Sequence, residues 1–278
     1  MPAFVLSGFL LRRYLRICFV TVPDIPAKDL LIMIRTILVL SLIVLYLILT
    51  IPVLIVFHFL HKKYPEKIDL ISLHMVQWVL RGVLFLSGTK LTVLGEENVP
   101  KDRPVVYIGN HTSYYDVVIG YTRVPGLTGF VAKDSMGKIP LLNLWMLRAK
   151  CVFLNRDNIK DGMKSILAAI KEVKEGISIY IFPEGTRNKT PDTLMEFKEG
   201  SFKIPEKSGA PIIPVTFVNS HSIYEDHKPF IKSAHVVVEY GKPIYMNELD
   251  KETRKHMGSY VSGIIHETYE KNKAAYFS

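Results

Sequence analysis

Cysteine is nearly missing from this 278-residue chain, with Cys18 and Cys151 the only two. Two thiols on opposite sides of a long apolar segment encode neither a disulfide framework nor a cysteine-based metal site, which fits a reducing compartment. The nine histidines include no His-x3-His and no His-Glu-x-x-His spacing, so no metal is expected. Internal repeats and low-complexity linkers are absent too. Acidic residues are outnumbered: the net charge is +9, with a pI near 9.3 and a positive mean hydropathy. The surplus is unevenly placed. Residues 1–94 hold ten Lys/Arg against four Asp/Glu, whereas residues 95–278 hold 25 against 22. A basic excess on an apolar N-terminal third suits an anionic membrane surface. Nucleic acid would call for that charge on a folded face, so a nucleic-acid partner is not expected.

From Leu30 to Leu60 the chain is almost wholly apolar, with Arg35 its single charged residue. About 20 apolar residues cross a bilayer, so this stretch is long enough to span. Arg35, near its start, is expected to snorkel to the headgroups. Two topologies compete: one spanning helix, or a helical hairpin broken at Thr50-Ile51-Pro52, where proline ends or kinks a helix. Basic residues flank both sides (Arg12, Arg13 and Arg16 before, Lys62, Lys63 and Lys67 after), and keeping all of them cytoplasmic favours the hairpin. Residues 68–87 form a second amphipathic segment, with Ile68, Ile71, Met75, Val79 and Val83 at helical spacing and Trp78 and Arg81 as interfacial anchors. An ordinary core-packing helix has the same pattern. Residues 1–22 make a poor signal peptide, since their arginines follow the first apolar residues and no small-residue cleavage site is evident. Met33-Ile34-Arg35-Thr36 has the form of a natural beginning. The hypothesis that translation starts at Met33 makes residues 1–32 over-long, and an intact native mass that includes them ends it. The expected division is a membrane-anchoring helical region at 1–89 and an α/β domain at 90–278.

Beyond residue 90 the pattern alternates. Strand-like runs fall at 90–94, 105–108, 128–132, 151–154, 177–182, 212–218 and 236–240. Helical stretches separate several of them, the clearest at 159–175 with Gly176 as its stop. A further amphipathic helix is expected at 252–273. Strand and helix in alternation predict an α/β fold, a mostly parallel sheet covered by helices, behind the N-terminal helical membrane anchor.

Asn110-His111-Thr112-Ser113-Tyr114-Tyr115-Asp116 follows the second of these strands. Side chains at such a strand end sit where α/β folds commonly place active sites. Histidine is the side-chain type that takes and returns a proton near neutral pH, and Asp116 can bond its other ring nitrogen if the chain turns back. The bland alternative is a histidine capping the turn and Asp116 as N-cap of the next helix. Ser113 is expected to be a turn residue, so no serine or cysteine nucleophile is implied. Arg156, Arg187 and Lys133 each follow a strand, and arginine's planar fork suits phosphate oxygens. Gly185 permits close backbone approach. Residues 136–147, rich in Ile, Leu, Trp and Met, are expected to be a core helix, with an acyl-chain tunnel as the alternative.

Four motifs stand in order: Asn110 to Asp116 with its His-x4-Asp, Val152-Phe153-Leu154-Asn155-Arg156, Phe182-Pro183-Glu184-Gly185-Thr186-Arg187, and Pro211-Ile212-Ile213-Pro214-Val215. Together they resemble the 1-acylglycerol-3-phosphate acyltransferase family of glycerolipid acyltransferases over residues 95–241. The resemblance implies an O-acyltransferase that moves a fatty acyl group from acyl-CoA or an acyl carrier protein to lysophosphatidic acid, giving phosphatidic acid. It needs no cofactor beyond that thioester co-substrate. His111 would be the base and Asp116 its partner, with Arg156, Glu184, Gly185, Thr186, Arg187 and Lys133 as substrate-binding residues. Glu184 would bond a glycerol hydroxyl or orient Arg187. The fourth motif is linked to the acyl donor, and a helical pair in the membrane interface would set the catalytic domain on the cytoplasmic face among membrane lipids. Glycerol 3-phosphate or another lysolipid as acceptor, or a non-catalytic membrane-anchored lipid binder, are the rival readings.

Overall fold

The computed structural model describes residues 26–155 and 158–278. The reading of residues 1–22, the flanking Arg12, Arg13 and Arg16, Cys18, and Arg156 lie outside the described residues. Helices α1 (Ala27–Leu49) and α2 (Ile51–Leu60) form one bent rod, and α3 (Pro65–Ser87) runs back along it. Pro52 falls in the first turn of α2, where its missing N–H would have no intrahelical partner anyway. Helical bonds bracket it, Thr50 N to Tyr46 O and Leu54 N to Thr50 O, both 3.0 Å. The chain reverses instead at residues 61–64, where the Lys63 and Tyr64 amides donate to Leu60 O. A hairpin is therefore present, but the expected break at 50–52 is only a bend.

The rod turns Ile32, Thr36 and Val39 inward and leaves Leu40, Leu45 and Leu49 exposed. Arg35 lies on the inward side, half-buried with its guanidinium against the Gly88 turn, which corrects its expected reach toward headgroups. Thr36 Oγ1 accepts from Ile231 N at 2.9 Å and so tethers α1 to the domain. On α3, Ile68, Val79 and Val83 are buried while Trp78 and Phe85 face outward; Ile71 is exposed and Leu73 takes the inner place expected for it. The segment thus packs on the domain along one face and offers apolar rings on the other. Both α1 and α3 are long and apolar enough to cross a membrane.

The domain follows as β1 (Lys90–Leu94), β2 (Val106–Gly109), α4 (Tyr114–Arg123), β3 (Thr128–Lys133), α5 (Leu142–Arg148), β4 (Val152–Leu154) and α6 (Ile159–Lys174). It continues with β5 (Ser178–Ile181), α7 (Lys203–Ser208), β6 (Ile212–Val218), β7 (His235–Tyr240), α8 (Lys251–Lys255) and α9 (Met257–Phe277). The expected C-terminal helix at 252–273 is these last two, divided at His256. Strand order is β1-β7-β6-β2-β5-β3-β4. Among the described strands only β6 and β7 pair antiparallel, so β6, β2, β5, β3 and β4 all point one way.

Alternation along the strands splits the core in two. Tyr107, Phe130, Tyr180 and Phe217 face α3 and α4 on one side. Val106, Ile108, Ile179 and Ile212 meet α6, α7 and α9 on the other. Apolar side chains on both faces explain why these strands read as unbroken hydrophobic runs. The helical hairpin covers the aromatic side.

Candidate active site

Strand β2 delivers the motif at the C-terminal edge of the parallel strands. Past Gly109 the Asn110 side chain replaces the backbone ladder: Nδ2 donates to Phe217 O at 2.9 Å, and Phe217 N donates to Oδ1 at 2.8 Å. Asn110 is fully buried, so both bonds spare otherwise orphaned groups. The chain then turns into α4. Ser113, not Asp116, is the N-cap, with its Oγ accepting from Tyr115 N at 3.0 Å. Asp116 occupies the third helical position and completes a capping box by accepting from Ser113 N at 2.8 Å.

The same Asp116 Oδ2 accepts from Thr112 N at 2.8 Å and lies 2.9 Å from His111 Nδ1. The cap and the histidine partner are thus one carboxylate. A carboxylate only accepts, so Nδ1 carries the proton and Nε2 keeps a lone pair. Phe182 stacks on the imidazole at 4.2 Å between ring centroids and 15° between planes, fixing the ring from its flat side. Among the described residues Nε2 has no protein partner.

After β5, Phe182-Pro183-Glu184-Gly185-Thr186-Arg187 wraps against this turn. Gly185 has φ +77, a conformation that favours glycine, and a Cβ there would meet Lys198 Nζ at 2.9 Å. Glu184 is 2% exposed and points away from the mouth, its Oε1 accepting from His111 N at 2.7 Å. Arg187 pairs elsewhere than with Glu184, its Nη1 donating to Glu225 Oε1 at 2.9 Å while the guanidinium lies 3.6 Å from the centroid of Tyr114. Glu225 also accepts from Ser113 Oγ at 2.5 Å and from Tyr114 N at 3.1 Å. It joins the Arg187 guanidinium to the start of α4. No motif marks Glu225, a short-helical residue in the connection after β6, and no sequence signal would have found it.

His111, Thr186, Arg187 and Lys133 line one cavity of about 710 Å³, whose remaining walls are mainly apolar. Leu47 of α1 and Val76 of α3 face Val118, Met136, Trp145 and Met146 across it. Residues 136–147 were expected as a core helix. Instead a short 3-10 turn and α5 divide them: Met136, Leu142, Trp145 and Met146 line the cavity, while Ile139, Leu144 and Leu147 are exposed. Trp145 Nε1 donates to Thr50 Oγ1 at 3.0 Å, so the bend in the rod braces a residue of the wall. Cys151 also borders the cavity, but burial pushes its thiol up and Tyr121 Oη lies 2.9 Å from its sulfur, which leaves it unreactive. The arrangement offers an oriented base and two cations at the mouth of an apolar chamber.

Burial raises the Glu184 carboxyl to about 7 from an ordinary 4.5, outweighing the bond from His111 N–H, with the Asp116 charge adding to the rise. Among the described residues its Oε2 is buried without a hydrogen-bond partner. The folded protein holds this proton more tightly than the unfolded chain. The associated stability is therefore complete below pH 4.5 and lost as pH rises through about 7. Glu184→Gln keeps an oxygen for the His111 amide and cannot ionise. It should gain roughly 3 kcal/mol over the parent at about pH 8 and little at about pH 4. Denaturant unfolding in detergent across that range measures the difference, and a gap that does not grow with pH overturns the assignment.

The Acyltransferase family model matches residues 90–218. A 1-acyl-sn-glycerol-3-phosphate acyltransferase of Borreliella burgdorferi is 35% identical over 177 residues, covering 64% of this chain and 67% of that protein. The enzyme of the same name from Saccharomyces cerevisiae is 29% identical, covering 64% and 61%. The chain thus spans about three fifths of that longer relative. The crystal structure of the 1-acyl-sn-glycerophosphate acyltransferase from Thermotoga maritima superposes with a TM-score of 0.76, covering 89% of this chain and 98% of that one at 22% identity. At that identity the likeness establishes the fold.

Proposed function

Because the chain belongs to the 1-acylglycerol-3-phosphate acyltransferase family, we propose that it moves a fatty acyl group from a thioester to the sn-2 hydroxyl of lysophosphatidic acid. The product is phosphatidic acid. The observation that carries this reading is the His111–Asp116 pair at the mouth of an apolar cavity that also holds Arg187.

In this mechanism His111 Nε2 takes the hydroxyl proton as the oxygen attacks the thioester carbonyl. The carbon–sulfur bond breaks, and the departing thiolate takes the proton back from the imidazolium. Asp116 keeps the ring in the productive tautomer and stabilises its charged form. Arg187 and Lys133 grip the acceptor phosphate, with Arg156 as the third cation after β4. Gly185 and Thr186 bring backbone and hydroxyl close to the acceptor, and Glu184 acts from beneath by holding the His111 backbone. The acyl chain lies in the cavity. A mainly apolar chamber favours transfer over hydrolysis because it limits access of water.

The exposed apolar faces of α1, α2 and α3 would lie in the membrane, with the domain on the cytoplasmic side where the basic residues flanking the hairpin are retained. Acyl-CoA or an acyl carrier protein would supply the thioester. The test is acyl transfer by the purified full chain in detergent, with lysophosphatidic acid and glycerol 3-phosphate as competing acceptors. Phosphatidic acid is the expected product, formed in preference to lysophosphatidic acid. Acylation of glycerol 3-phosphate alone would move the assignment to that acceptor, and no transfer to either would favour a lipid-binding role.

A further inference from the structure

A second cavity, of about 440 Å³, lies at the tip of the helical hairpin and shares no lining residue with the first. Helix α5 is the partition between them. Its Leu142, Trp145 and Met146 face the first chamber, and its Leu144, Leu147 and Arg148 face the second. The far wall comes from Leu54, Ile55 and His58 of α2.

At the inner end sits Asp69 of α3, only 4% exposed. Both its oxygens are taken, Oδ2 by Lys150 Nζ at 2.6 Å and Oδ1 by His61 Nε2 at 3.0 Å. The Lys150 charge is therefore answered within the protein. Arg148 is not: it is half-buried in the same wall and, among the described residues, makes no ion pair or hydrogen bond. A guanidinium on a largely apolar wall, beside a neutralised pair, is suited to receive an anion.

Backbone conformation points to the same place. Among the described residues three non-glycine positions have positive φ, and two of them, Leu141 at +63 and Lys150 at +58, flank α5 and line this cavity. Leu142 N donates to Pro140 O at 2.7 Å, closing a γ-turn of the rare positive-φ kind around Leu141. Strained backbone of this sort collects at ligand sites, where the surroundings hold it. At the rim, Ile55, Leu144 and Leu147 are 55%, 44% and 56% exposed, a track for a hydrocarbon chain.

We infer that this cavity binds a phosphate-bearing anionic lipid, its headgroup on Arg148 and one acyl chain along Ile55, Leu144 and Leu147. The inference uses the hairpin's seat in a bilayer but not the transfer reaction. A soluble phosphate shares the headgroup chemistry but leaves the apolar rim bare, so the lipid is the occupant.

The test places the full chain in phosphatidylcholine nanodiscs containing a trace of phosphatidylglycerol with a photoreactive acyl chain, and maps the labelled peptides. A photoreactive phosphatidylcholine serves as the zwitterionic control. The anionic probe should label the segment around Leu144 and Leu147 about tenfold more than the control, and Arg148→Gln should remove that excess, the size of one charge-assisted bond. Leu147→Glu should also remove it. Leu147→Lys placed in the Arg148→Gln background should restore it, a reversal of sign that misfolding would not produce. Equal labelling by both probes, or an excess that survives Arg148→Gln, sinks the proposal. Displacement of the probe by millimolar inorganic phosphate would make this a soluble-anion site and overturn the lipid assignment. Acyl transfer measured on Arg148→Gln in detergent should match the parent, which keeps failure here separate from failure of the proposed reaction.

Discussion

Replacing His111 with alanine is expected to lower kcat for acyl transfer by about 10²–10⁴, the range that a positioned general base supplies. The KM for the acceptor should change little, because Arg187 and Lys133 stand apart from the imidazole at the cavity mouth. Fold stability should survive as well. The cap of α4 rests on Ser113 and on two backbone bonds to Asp116, none of which involves the His111 ring. Asp116→Asn separates charge from capping. One oxygen, Oδ2, serves Thr112 N, Ser113 N and His111 Nδ1, so an amide with its oxygen in that place keeps the cap and the tautomer and loses only the negative charge that stabilises the imidazolium. The outcome should be a fall in kcat smaller than that of His111→Ala, at nearly constant KM. Phosphatidic acid formation that persists in His111→Ala at the parent rate would mean another group takes the proton. A drop in melting temperature for Asp116→Asn with kcat intact would reduce Asp116 to a cap.

The fold was largely legible because its strands are buried on both faces. Runs such as Val106-Tyr107-Ile108 and Ile212 to Val218 carry no charged residue, and the structure has a strand at each of the seven expected places. Boundaries moved by a residue or two, as hydrogen bonding rather than composition decides them. The hairpin was harder. Proline signals a bend and a reversal alike, and the outcome at Pro52 depended on its falling in a first turn, while the reversal at 61–64 is polar and carries no glycine.

Within the site, side chains next to one another in a motif were easier to place than their partners. His111 and Asp116 meet because a capping box bends five residues back on themselves, a local event that their spacing encodes. Glu184 lies 73 positions from His111, and its downward turn to the His111 amide depends on how two strand ends are stacked. Glu225 is further still from any pattern. Its role follows from three donors, Ser113, Tyr114 and Arg187, that converge only in the folded chain. The exposed Lys133 is a cation at a strand end that the sheet brings to the same cavity, a consequence of parallel strands ending on one edge.

Arg187→Ala should raise the KM for lysophosphatidic acid by about 10²-fold, the loss of one or two charge-assisted bonds of roughly 1.5–3 kcal/mol each. Part of that loss would not belong to the missing contact. Glu225 is only 11% exposed, and removal of the guanidinium leaves its carboxylate without a countercharge, held only by Ser113 Oγ and Tyr114 N, beside the place proposed for the phosphate. Two negative charges in one poorly solvated mouth repel. The double variant Arg187→Ala/Glu225→Gln removes that repulsion and should recover about tenfold in KM relative to the single variant, a coupling that simple addition would not give. Glu225→Gln alone should do less, since Arg187 keeps its stacking on Tyr114 and its other donors remain free to reach the phosphate. Across the cycle kcat should move far less than KM, because a phosphate remote from the reacting hydroxyl is bound alike in ground and transition states. Steady-state kinetics of the four proteins decides it. A double variant no better than Arg187→Ala would place Glu225 out of the phosphate's field, and its part would then be confined to holding Ser113 and Tyr114 at the start of α4.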